Sequence, residues 1–124
     1  MKYLRIYTGE DGESHFEDIE YEMAPMGEFP GIYSEPWKTK AVIFRETDAD
    51  YDIDFHNAPR RQFVINLKGS VEIEVGSGEK RVLGPGDILL AEDTGGRGHI
   101  SRAVGEGIRE SIFLPLEEQD GDSR

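Results

Sequence analysis

Apolar and polar residues alternate with a period of two along most of the chain, and no stretch of period 3.6 competes with it. Lys2 to Thr8 reads as a first strand. Ile19, Tyr21 and Met23 alternate with Glu20 and Glu22, which predicts a strand with one face in water. Ala24 to Pro36 holds three of the six prolines and two glycines and predicts a loop. Ala41 to Arg45 is a short run with strand propensity. After it, Tyr51, Ile53 and Phe55 alternate with Asp52 and Asp54. In the centre, Gln62 to Leu67 and Ser70 to Val75 flank Lys68-Gly69, a connection that signals a hairpin. Gly76-Ser77-Gly78 turns the chain towards a strand at Lys80 to Leu83, and Gly84-Pro85-Gly86-Asp87 makes a further sharp turn. Ile88 to Ala91 is continuously apolar, which predicts a strand buried on both faces. Beyond the glycine loop Gly95-Gly96-Arg97-Gly98, strands are expected at His99 to Val104 and Ile108 to Leu116.

Short strands joined by Gly and Pro turns indicate an all-β sandwich, jelly roll or barrel, and periodicity does not choose among them. With 124 residues and neither internal repeat nor linker, one domain over residues 1–116 is expected, with a polar tail at 117–124. The net charge of −12 repels phosphate backbones and anionic membrane surfaces, which disfavours nucleic-acid and membrane partners. No apolar run approaches the ~18 residues of a membrane helix, and the start turns acidic before a signal-peptide core could form, so a cytoplasmic location is expected. The absence of Cys removes disulfides and thiolate metal sites.

The stretch from His56 to about Val104 resembles the cupin superfamily, whose first motif is G-x5-H-x-H-x3,4-E-x6-G and whose second is G-x5-P-x-G-x2-H-x3-N. Gly69 anchors the first motif; Gln62 then stands at the glutamate position, Ala58 at the second histidine and His56 at the first. The second motif opens at Gly86-Asp87, and its histidine is matched by His99 across a loop, EDTGGRG, two residues longer than the pattern. The resemblance implies a double-stranded β-helix, a jelly-roll barrel with the N-terminal strands adding to one sheet. It also implies a pocket into which His56, Ala58 and Gln62 point, with His99 opposite. Phe55, Phe63, Ile65 and Leu67 then face outward and need a cover from the N-terminal strands or a second subunit, so a homodimer is expected.

A full cupin site holds a divalent metal through three imidazoles and a carboxylate. Here Ala58 and Gln62 remove one ligand and the only anion. The expected function is therefore binding of a small molecule in the barrel, with a weak, degenerate or absent metal site. The alternative is a metal-dependent dioxygenase or isomerase using His56, Gln62 and His99 around one Fe, Zn, Ni or Mn. In a metal-free variant, His56 or His99 acts as general acid–base on a carbonyl substrate. A third reading, an accessory protein whose acidic surface meets a basic partner, has no positive residue signal. Further candidates for ligand binding are Arg60 and Arg61, able to clamp a carboxylate or phosphate bidentately, and Arg97 in the glycine loop. Glu92 and Asp93 could reach a ligand at the mouth, and Asp54 could orient His56. Trp37 is expected to pack in the core, and His15 to lie on the surface.

Overall fold

A computed structural model describes residues 1–117, in which every regular element is a β-strand. In chain order these are β1 (Lys2–Thr8), β2 (Ser14–Glu20), β3 (Ala24–Met26), β4 (Phe29–Tyr33), β5 (Ile43–Thr47), β6 (Asp52–His56), β7 (Gln62–Lys68), β8 (Ser70–Glu74), β9 (Lys80–Leu83), β10 (Ile88–Glu92), β11 (His99–Val104) and β12 (Arg109–Pro115). A six-stranded sheet has the order β2-β1-β10-β7-β12-β5, a four-stranded sheet the order β6-β11-β8-β9, and β3 pairs with β4 alone. The chain is thus all-β and built of separate sheets, with no closed barrel among the described residues. Among them no helix is long and apolar enough to cross a membrane.

The core follows from the alternation. Leu4 and Ile6 of β1, Val64 of β7 and Leu89 and Ala91 of β10 face Val71, Ile73 and Leu83 of the four-stranded sheet in one buried cluster. On the other side of the six-stranded sheet, Tyr3, Phe63, Leu90 and Leu116 form a second cluster, packed on by Trp37 and Leu114. Trp37 meets Phe63 edge-on, with ring centroids 4.7 Å apart. β10 is therefore buried on both faces, as its unbroken apolar run predicts, and the outward Phe63 takes its cover from this same chain. Gly69 takes φ 75° at the β7–β8 turn, where a Cβ would press on the backbone of Arg109.

Three sequence readings are corrected. The second strand lies at Ser14–Glu20 rather than around Tyr21, because pairing with β1 (Lys2↔Glu20 to Thr8↔Ser14) sets its bounds. The Ala24 to Pro36 segment contains the β3–β4 hairpin, turning near Gly27, although its side chains are exposed. Thirdly, His99 is not opposite His56; antiparallel pairing of β11 with β6 puts the two side by side. The expected tail at 117–124 lies outside the described residues from position 118 onward.

Candidate functional site

Between the two sheets lies a cavity of about 210 Å³ whose walls are mostly apolar: Val64, Leu89, Ala91, Val71, Ile73 and Phe113. His56, Gln62, His99, Ser101, Arg45 and Arg109 bring polar groups into it. A larger groove of about 530 Å³ lies on the outer face, lined by Tyr3, Tyr21, Trp37 and Arg61, and contains neither histidine. The chemistry is concentrated in the smaller space.

At one end stand the two imidazoles. His56 closes β6 and His99 opens β11; their register pairs them, and the ring centroids are 4.5 Å apart. Gly98 makes this approach possible. It takes φ 82°, and a Cβ there would overlap the carbonyl of His56. The Nδ1 of His56 donates to the backbone carbonyl of Asp54 at 2.8 Å. A carbonyl only accepts, so the proton sits on Nδ1 and Nε2 is the free position of the neutral ring. His99 Nδ1 lies 2.5 Å from Oδ2 of Asp93, which also accepts from the Ser14 hydroxyl at 2.7 Å. Asp93 has 0 % exposure, and its second oxygen, Oδ1, has no partner among the described residues. The backbone carbonyl of Asp93 receives the Ala58 amide at 3.0 Å, tying this carboxylate to the segment between β6 and β7. Gln62, the first residue of β7, faces the imidazoles from the other sheet; its Oε1 accepts from Arg60 Nη1 at 2.9 Å.

The other end is cationic. Arg109 is 5 % exposed, and its Nε donates to Oδ1 of the buried Asn66 at 2.8 Å. It has no carboxylate partner among the described residues. Burial, assisted by repulsion from Arg45, pushes its guanidinium down to about 10, which leaves it charged at neutral pH. Arg45 itself donates to Ser111 Oγ at 3.2 Å and lies over the Phe113 ring, 4.4 Å from the centroid.

The structure thus brings His56, Gln62 and His99 together, with Arg60 reaching them through Gln62. Asp93 joins them behind His99, whereas the remaining candidates lie elsewhere. Arg61 and Glu92 pair with each other at 2.6 Å beyond the opposite face of the six-stranded sheet, because Glu92 follows the parity of outward Leu90. Arg97 pairs with Glu13 at 2.9 Å and covers Phe55. The Asp54 carboxylate receives its neighbour's amide and holds His56 only through its backbone. His15 is on the surface beside Asp11. Sequence reasoning missed Arg45, Tyr51, Ser101 and Arg109, and gave Asp93 the same place at the mouth as its neighbour Glu92.

A divalent ion of the cupin kind would have to be held by His56, His99 and Gln62. These residues do not fit it. The amide oxygen already serves Arg60, no carboxylate lines the cavity, and two guanidinium groups share it. Among the described residues no group of three or more His, Cys, Asp or Glu is placed to hold a metal.

No family model matches the chain, and no curated protein matches it. Among solved structures it is similar to the crystal structure of protein NMB1881 from Neisseria meningitidis, at 14% identity and a TM-score of 0.46, over 68% of this chain and 89% of that one.

Proposed function

We propose that this chain is a small-molecule-binding domain of cupin-like jelly-roll type, taking its ligand between the sheets beside His56 and His99. Support for the architecture comes from strand order. From β5 to β12 the strands fall into the four-strand sets β5-β12-β7-β10 and β6-β11-β8-β9, and every connection except β8–β9 passes from one set to the other. Such alternation is what the winding of two Greek keys into a jelly roll would produce, and it supports that reading.

The observation that carries the functional reading is the cavity itself, apolar in its walls with a few convergent polar groups. A protein-observed NMR screen with small polar compounds tests it. Shifts clustering on Val64, Val71, Ile73 and Ser101 are expected; hits confined to the outer groove of Tyr21 and Trp37 would contradict the reading.

The short contact between His99 and buried Asp93 favours a second reading, acid–base catalysis. Asp93 would fix the ring so that Nε2 faces the cavity, and would stabilise the imidazolium formed when Nε2 takes a proton. His56, whose Nδ1 is held by a carbonyl, presents a second Nε2 nearby. A bound hydroxyl or carbonyl compound could then lose a proton to one ring and gain one from the other. Slow exchange of a bound ketone's α-hydrogen with D2O, abolished by His99→Phe, is the expected sign. Equal exchange rates in the two proteins would rule this reading out.

A further inference from the structure

We infer that the ligand of this cavity is a small organic carboxylate, anchored by Arg109 and Arg45 at the end away from the two histidines. The inference rests on the proposal that the cavity is a small-molecule site, and adds the chemical class and the orientation.

The charge of the cavity wall is the first argument. Desolvating a guanidinium is costly, and proteins almost always place a carboxylate beside one that they bury. Arg109 is buried against a neutral amide, with a second arginine in the same wall instead of an anion. Asp93, the buried acid between the sheets, is committed to His99 and Ser14. An anion entering the cavity would complete the set.

The shape of the donors points the same way. Arg109 uses Nε on Asn66, which in turn is fixed by donating Nδ2 to the Gly69 carbonyl at 2.7 Å. The guanidinium is therefore clamped from behind, with its two Nη groups not spent on any described residue. A planar fork held in this way matches the two oxygens of a carboxylate. Arg45 is likewise held, by Ser111 and by stacking on Phe113. A phosphate ester would call for more donors, and no helix N-terminus is present among the described residues to supply them.

The third argument is length. Gln62 marks the histidine end of β7 and Asn66 the arginine end, four residues apart, or roughly 13 Å of strand. A volume of about 210 Å³ equals the liquid share of about seven waters. An acid of moderate size fits, its carboxylate on the arginines, an apolar body against Val64, Val71 and Leu89, and its far end towards the imidazoles.

Titrations with benzoate, benzamide and phenyl phosphate, followed by protein-observed NMR on the full chain, test this. Benzoate is expected to shift the Nε–H signals of Arg45 and Arg109 and the amides of Ser101, Ser111 and Phe113, and to bind at least tenfold tighter than benzamide. Arg109→Met should weaken benzoate at least tenfold with the rest of the spectrum preserved, whereas Arg97→Met should leave binding unchanged. Equal binding of benzoate and benzamide within the cavity would overturn the carboxylate assignment and leave the small-molecule reading standing, as would tighter binding of phenyl phosphate. Shifts by none of the three probes at any cavity residue would count against both. Should Arg109→Met fail to fold, Arg45→Met and the benzoate-to-benzamide ratio of the parent decide the matter.

Discussion

Arg61 and Arg109 flank the same pair of strands, β7 and β12, and are treated in opposite ways. Beyond the outer face, Arg61 directs both Nε and Nη2 onto one oxygen of Glu92, at 2.8 and 2.6 Å, while Arg5 takes the other oxygen at 2.5 Å. The Glu92 side chain is 5 % exposed. Its charge is compensated within the fold. Facing inward, Arg109 is buried, its side-chain hydrogen-bond partner among the described residues is the neutral Asn66, and the nearby charge of Arg45 opposes its own. Burial of a charge therefore does not by itself mark a ligand site. The mark is a buried charge that the fold leaves unbalanced, in a wall that opens on a cavity.

The comparison can be broken from either side. Glu92→Ala removes the buried carboxylate that Arg5 and Arg61 share and should cost the most, about 3 kcal/mol in urea unfolding; a loss below about 0.5 kcal/mol would show that the outer pair is not structural. Asp93→Asn keeps the shape but removes a charged acceptor from His99 and Ser14, and should cost about 2 kcal/mol by the same measurement. Arg109→Met should stay within about 1 kcal/mol of the parent, since relief of a buried charge offsets the orphaned oxygen of Asn66. A cost matching that of Glu92→Ala would mean that Arg109 is a structural group after all. Arg97→Met, which removes a partly exposed pair with Glu13, should change stability by less than about 0.5 kcal/mol.

Much of the fold was legible because turns and alternation agree. The bounds of β1, β9 and β11 follow directly from the apolar pattern and its glycine and proline punctuation. The grouping of His56, Gln62 and His99 was implied only by the resemblance of the stretch around Gly69 and Gly86 to the cupin motifs. Facing direction was harder. In β12, Arg109, Ser111 and Phe113 share the inward face while Ile112 and Leu114 point out, so an apolar-inside rule assigns the arginine to solvent. The rule fails because both faces of the six-stranded sheet are covered, leaving parity without a sign. The same ambiguity separates Glu92 from Asp93. Two adjacent acids end an unbroken apolar run, and only the pairing of Ala91 with Gln62 decides which turns inward. Residues of β3 and β4 were hidden by their prolines, which the short, exposed hairpin tolerates.

Arg109, on the proposal above, holds its charge for an anion. Linkage measures this most directly: a ligand that binds only the folded protein raises its stability by about 1.4 kcal/mol for each tenfold rise in concentration above its dissociation constant. Urea midpoints of the parent and Arg109→Met, taken across a range of benzoate concentrations with benzamide as reference, should begin to rise at a concentration at least tenfold lower for the parent in benzoate than for the variant or for the amide. Coincident curves for the two proteins, or for the acid and its amide, would contradict it.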